Sequence, residues 1–130
     1  MNPATRWLQR FDSFQRAVSL LHEALQEGPG PLSRLEREGA AQRFEFTVGL
    51  AWKCLSDHLA AQAAPVQPPS PKAVVKAAFA AGILADGQLW IDMLDLRNQL
   101  SHVYDGDKFD AAVAQIHAHY LPPLAKLRDW

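Results

Sequence analysis

The chain has 130 residues, 48% of them hydrophobic and 21% charged, with a formal net charge of −1. That length fits one domain able to bury a core without metal or disulfide support, and the composition is that of a globular rather than a disordered chain. The near-zero charge supplies no global field for nucleic acid, so any RNA contact has to be local.

The first predicted helix carries Trp7, Phe11, Phe14, Val18, Leu21 and Leu25 at spacings of 4, 3, 4, 3 and 4. Such a seam is the apolar stripe of an antiparallel bundle helix. Gly28-Pro29-Gly30-Pro31 ends it. A second helix is predicted from about Glu38 to Ala63, with Ala41, Phe44, Val48, Trp52, Leu55 and Leu59 on one face. Phe46 and Leu50 add a second apolar face, which makes this helix the central one. Its single cysteine, Cys54, stands beside Trp52 and Leu55 and reads as a buried thiol; one cysteine excludes an internal disulfide and any C-x-x-C motif. Lys53 and Asp57 read as an ion pair across one helical turn. Arg43 and Glu45 are candidates to support a site elsewhere in the bundle.

Pro65, Pro68, Pro69 and Pro71 form a stiff linker, too short to divide the chain. Ser70 followed by Pro71 is a cap and first-turn pair. A short third helix with Val74, Val75, Ala78 and Phe79 stops at Gly82. Asp86 caps a fourth helix, and Asp107 a fifth, which carries Val113, Ile116, Tyr120, Leu124 and Leu127 inward and is interrupted at Pro122-Pro123. No strand pattern or repeat appears. The expectation is an all-α, up-and-down bundle of four to five helices, with residues 1–130 forming a single domain.

The fourth helix raises the functional question. Leu89, Met93, Leu96, Leu100 and Val103 form its core stripe. If the helix continues past them, Arg97, Ser101 and Tyr104 form one adjacent row, and Asp95, Asn98 and His102 the next. Trp90, Ile91 and Leu94 precede these rows on the side that becomes polar. Either a second subunit or another helix of the same chain covers them. Arg97 and His102 stand about 140° apart on a straight helix, so they meet on one ligand only in a groove or across a two-fold axis. Arginine offers a planar fork of donors suited to phosphate, and histidine moves protons near neutral pH. With Asn98 and Ser101 as neutral hydrogen-bonding support, the set suits metal-free RNA cleavage. His102 activates the ribose 2′-hydroxyl or protonates the leaving oxygen, while Arg97 stabilises charge on the phosphate.

The run Arg97-Asn98-Gln99-Leu100-Ser101-His102-Val103-Tyr104 reads as R-x4-H-x-Y. It resembles the motif of HEPN-domain proteins, in particular the HepT-like toxins, also called nucleotidyltransferase substrate-binding proteins. Gln42 to Thr47 with Leu50 to Lys53 resembles the family's second-helix block. Ser70-Pro71-Lys72 and Ala78-Phe79 before Gly82-Ile83-Leu84 resemble its third, and Tyr120-Leu121-Pro122 its last. The resemblance covers most of the chain. It implies an α bundle dimerising through the motif-bearing helix, catalysis by Arg97 and His102 from two motifs at the interface, and metal-independent ribonuclease activity with no cofactor. It further implies a toxin–antitoxin pair, in which a partner nucleotidyltransferase silences the toxin by AMP transfer to the motif tyrosine, here Tyr104. The alternative within the same family is a noncatalytic docking or substrate-binding subunit of that transferase. A third reading is a bundle that keeps only a dimeric interaction role.

Other residues point to less. Asp92, Asp95, Asp105 and Asp107 surround the motif and repel an RNA backbone unless paired or turned away; Asp95 could instead orient His102. His117 and His119 point about 200° apart on a helix, which disfavours a shared metal. His22 and His58 read as surface or packing groups. There is no P-loop or G-x-G-x-x-G. The tryptophans and phenylalanines read as core rather than a stacking platform, leaving Tyr104 as the ring in the motif, besides the imidazole, that could stack on a base. No apolar stretch reaches membrane-spanning length and the N-terminal MNPATRWLQRF is unlike a signal peptide, so a cytoplasmic location and no membrane partner are expected.

Overall fold

The computed structural model describes residues 3–102 and 106–130. Among these every regular element is helical: α1 (Pro3–Ala24), α2 (Arg34–Ala61), α3 (Pro71–Ala80), α4 (Gly87–Leu100), α5 (Gly106–Gln115) and α6 (Leu121–Arg128). The all-α bundle expected from the periodicity is therefore observed.

α1 and α2 run antiparallel along the seam read from the sequence. Arg10 pairs with Asp57 at one end, Nη1 to Oδ2 2.8 Å, and Arg43 donates to the Leu20 carbonyl at 2.8 Å near the other. Phe14, Val18 and Leu21 from α1, with Leu25 in the turn just after it, are fully enclosed, as are Phe44, Val48, Ala51 and Leu55 from α2. α2 also packs on α3, α4 and α5, and so is central as its two apolar faces imply. One of those faces is nonetheless open: Leu50 is half-buried, and Phe46 is 65% exposed.

α2 begins at Arg34, earlier than the predicted Glu38, because Ser33 and Glu36 form a capping box. The Ser33 hydroxyl accepts from the Glu36 N–H at 3.1 Å, and the Glu36 carboxylate accepts from the Ser33 N–H at 2.8 Å. Those hydrogen bonds hold the Glu36 carboxyl below its ordinary range. Arg37 then ties the α1–α2 connection to α5, donating to the Pro29 carbonyl at 3.1 Å and pairing with Asp110 at 3.0 Å. Ser70 and Asp86 cap α3 and α4 as expected, accepting from Ala73 and Leu89 N–H at 3.3 and 3.0 Å. Asp107 does not cap α5: the helix starts at Gly106, which puts Asp107 inside its first turn.

The paired prolines leave their mark one turn upstream. Between α5 and α6, Ile116–Tyr120 form a π turn in which the Leu121 N–H reaches the Ile116 carbonyl. The wide turn lets the helix absorb Pro122 and Pro123 at the start of α6, where a missing N–H costs least. Val113, Ile116, Tyr120, Leu124 and Leu127 are buried, as the period predicts. α6 returns to α1, where Trp7 stacks on Phe11 at 5.3 Å and Trp130 meets both rings edge-on.

Cys54 is 1% exposed, and burial pushes its thiol up to about 12, with the Asp57 carboxylate adding to the shift and Arg10 opposing it. Asp57 is held by Arg10 rather than by Lys53, whose ammonium lies 6.0 Å from the Trp52 ring centre, so the predicted Lys53–Asp57 pair does not form.

Two measurements check this packing. In urea unfolding, Phe44→Ala should cost about 3–5 kcal/mol because it empties the α1–α2 core, whereas Asp86→Ala should cost only about 1 kcal/mol as a lost cap. Alkylation of Cys54 by iodoacetamide, followed by mass, should be negligible in the native protein at pH 8 and complete in denaturant, because a raised pKa withholds the reactive thiolate.

Candidate functional site

α4 stops at Leu100. Ser101 forms its C-cap, and the His102 N–H turns back to the Gln99 carbonyl at 2.9 Å. Ser101 and His102 therefore sit in an exposed turn rather than on a helix face. The helical row running from Asp95 and Asn98 to His102 does not hold, because the helix ends at Leu100 and His102 lies in the turn after it. Nor does the 140° separation of Arg97 from His102. Val103, Tyr104 and Asp105 lie outside the described residues, so the tyrosine expected to accept AMP and the last position of the core stripe are not placed.

Arg97 is the anchored member of the motif. It is half-buried against α2, where its Nε donates to the Glu45 carbonyl at 3.5 Å. Its Nη1 donates to Asn98 Oδ1 at 3.4 Å. Its Nη2 lies 3.8 Å from where a Cβ on Gly49 would stand. A Cβ there would make only ordinary van der Waals contact, so the guanidinium lies beside Gly49 without depending on its missing side chain. Both hydrogen bonds are long, and among the described residues no carboxylate pairs with Arg97. Among the described residues the arginine is held in position with no compensating carboxylate, and its fork can take an anion.

Asn98 links the rest of the motif. Its side chain accepts from Arg97, and its carbonyl accepts from the Ser101 hydroxyl at 3.3 Å. The structure brings Arg97, Asn98 and Ser101 into one chain of contacts. It leaves the His102 imidazole without a hydrogen bond to Arg97. Glu45 does support the motif, through its backbone rather than its carboxylate. Arg43 does not: it faces α1.

The acidic residues are partly neutralised. Asp95 pairs with Lys72 on α3 at 2.9 Å, so it does not orient His102. Asp92 accepts from Gln88 at 2.9 Å. Tyr120 feels both carboxylates: burial first, then Asp92 and Asp95, raise its phenol above the ordinary range. Its ring is stacked on Phe44 at 6.1 Å. The other sequence candidates stay separate. His117 and His119 fall in the π turn, and no group of three metal-ligating side chains occurs among the described residues. His58 packs against Trp130 with 4.5 Å between ring centres.

Trp90 and Leu94, which the sequence left open to cover by a partner, are 3% and 2% exposed within the single chain. Of the three, Ile91 remains half-buried. The apolar start of α4 is therefore satisfied by this chain's own helices.

Sequence reasoning missed the exposed Phe46. It lies on α2 between the residues that receive Arg97, next to Glu45 and three positions before Gly49. An apolar residue off the main seam was the available signal, but periodicity alone does not say whether a second face is covered.

The chain has relatives. The family described as nucleotidyltransferase substrate binding protein like matches residues 9–129, nearly the whole chain. A protein of Haemophilus influenzae named as a probable ribonuclease HepT is 33% identical over 81 residues, which cover 60% of this chain and 56% of that protein. The matched stretch spans just over half the length of that relative. No described helix is long and apolar enough to cross a membrane. With its family match running almost from end to end, the protein belongs to the nucleotidyltransferase substrate-binding, HepT-like family.

Proposed function

We propose that this chain is a HepT-like toxin, a metal-independent endoribonuclease formed by the single HEPN-like domain of residues 1–130. The observation that carries the reading is Arg97: a guanidinium seated on α2, free of any carboxylate among the described residues, five residues before an exposed histidine in a turn. The name of the Haemophilus relative points the same way.

In this reading Arg97 binds the scissile phosphate and stabilises the charge that builds on its oxygens as the ribose 2′-oxygen attacks. His102 removes the 2′-hydroxyl proton or delivers one to the departing 5′-oxygen, leaving a cyclic phosphate and a free 5′-hydroxyl. A single histidine does not serve both ends of the bond at once. Two motifs across the two-fold axis of a homodimer supply two, which is why the proposal includes dimerisation around the motif end of α4. Asn98 steers the arginine and Ser101 fixes the turn that presents His102. Tyr104 follows two residues later. An AMP group on it adds an anion and a bulky nucleoside to the motif, and silences it if that anion reaches and neutralises Arg97 or the nucleoside blocks the strand. The donor is a partner nucleotidyltransferase acting as antitoxin, with both proteins in the cytoplasm.

A second reading keeps the partner and drops the cleavage: a docking or substrate-binding subunit of a nucleotidyltransferase. The net charge of −1 and the carboxylates of Asp92 and Asp95 on α4 favour it, since they oppose a polyanion. The family description carries the same sense.

RNA cleavage separates the two. Chain purified without a transferase, verified by mass to be unmodified, should degrade total RNA in the presence of a chelator. His102→Ala should lower the rate by about 10²–10⁴-fold and Arg97→Ala by about 10²–10³-fold. Intact RNA with the wild type selects the docking subunit. If the toxin reading holds, protein carrying AMP on Tyr104 should cleave far more slowly than the unmodified form, and equal rates would remove the silencing step from the proposal.

A further inference from the structure

α1 and α2 do not close on each other over their whole length. An open slot of about 340 Å³ remains between them, with Ala17 and Thr47 at its floor, Leu20 and Phe46 at its mouth, and Arg16 and Arg43 beside them. Its lining is mostly apolar, and its size is that of a small-ligand site. Leu20 is 48% exposed and Phe46 65%. No carboxylate lines the slot. Among the described residues Arg43 donates to the Leu20 carbonyl, and Arg16 pairs with Asp12 at 3.0 Å on the open surface.

The slot shares α2 with the motif arginine. Arg97 rests on the Glu45 carbonyl and against Gly49, and Phe46 lies between those positions in sequence. Residues three apart on a helix stand about 5–6 Å apart at Cβ. A phosphate on Arg97 thus has the Phe46 ring within the reach of an adjoining nucleotide.

We propose that this slot is a nucleobase subsite, taking an unpaired base of the RNA strand whose scissile phosphate lies on Arg97. The base lays its face on Phe46 and its edge against Leu20 and Ala17, while Arg43 and Arg16 attract the flanking phosphates. This rests on the ribonuclease reading and gives it a substrate class, single-stranded rather than double-stranded RNA. A duplex keeps its bases stacked and paired, so it offers no free face. The Thr47 hydroxyl proton is committed to the Arg43 carbonyl at 2.7 Å, which leaves the Ser13 hydroxyl and the two arginines as the main polar groups of the lining toward a base edge. The slot accepts unpaired bases with little discrimination among them. Charge selects this occupant over a second copy of the chain. An isologous contact over the slot would set Arg16 and Arg43 against their own equivalents.

The test separates binding from cleavage. The probe is a fluorescein-labelled, single-stranded oligouridylate with 2′-O-methyl riboses, which the proposed reaction cannot cleave, and a second copy carries 5-iodouridine for photo-crosslinking. Phe46→Ala should weaken binding about tenfold or more, Phe46→Tyr should retain it, and Arg43→Gln should weaken it and flatten its salt dependence. The crosslink should map to Phe46, and a duplex of the same length should compete poorly. On cleavable RNA, Phe46→Ala should raise KM about tenfold with kcat little changed. Equal binding by wild type and Phe46→Ala, a crosslink elsewhere, or conversion of a dimer to a monomer by Phe46→Ala in sedimentation would each overturn the subsite. If wild type binds the oligonucleotide through Phe46 yet leaves cleavable RNA intact, the nuclease reading falls while the base-binding slot stands.

Discussion

The bundle is organised by what α2 has to satisfy. It is 28 residues long, and helices pack on it from several sides: α1 along its length, with α3, α4 and α5 elsewhere. Such a helix has to be apolar over most of its circumference, and buried residues from Ala40 to Leu59 meet that demand. What is left uncovered is a strip between α1 and α4. Into that strip come Gly49, where α4 lays its arginine, and Phe46, which no helix of the chain covers. The charge on Arg97 is tolerated there because the strip is half-open to water and offers a backbone carbonyl. Full burial without a carboxylate would cost far more than two long hydrogen bonds return.

This geometry explains why the motif splits into a fixed half and a presented half. Arg97 belongs to α4 and inherits the rigidity of a helix whose apolar start is locked by Trp90, Met93 and Leu94. His102 belongs to the turn after the helix. A phosphate-binding group gains from fixed placement, since reorganisation during reaction weakens electrostatic stabilisation. A proton-transfer group gains from reach, because it has to follow an oxygen that moves as bonds form and break.

The amount legible in the sequence follows the range of the forces involved. The α1 seam, the Ser70 and Asp86 caps and the inward residues of α5 and α6 were legible because they rest on local period and local hydrogen bonds. The start of α2 was legible too, in Ser33-Arg34-Leu35-Glu36, but the stronger apolar signal further on masked it. The end of α4 was not. Leu100-Ser101-His102-Val103 contains neither glycine nor proline, and its apolar residues keep the helical period past the point where the backbone turns. The angle argued between Arg97 and His102 failed for that reason. Which apolar residues are covered is a property of the assembled bundle. Trp90 and Leu94 could have been covered by a partner or by this chain and are buried within it, while Phe46 looked buried and is open. The motif itself was legible as a pattern of residues and a family resemblance, not as geometry.

The charge distribution around that strip resolves an apparent conflict. A net charge of −1 and an acidic α4 oppose RNA at long range, where all charges act together. Within a screening length of about 8–10 Å the balance is local. There Asp95 is already matched by Lys72, and the groups facing the α1–α2 opening are Arg16 and Arg43, with Arg97 across the crest of α2. A chain of this kind does not collect nucleic acid from a distance. On the proposed reading it discriminates at contact, through a few cations and the exposed Phe46 ring. On the ribonuclease reading proposed above, the missing long-range field suits an enzyme held in check by a partner, because a strongly basic surface would compete with that partner for every RNA in the cell.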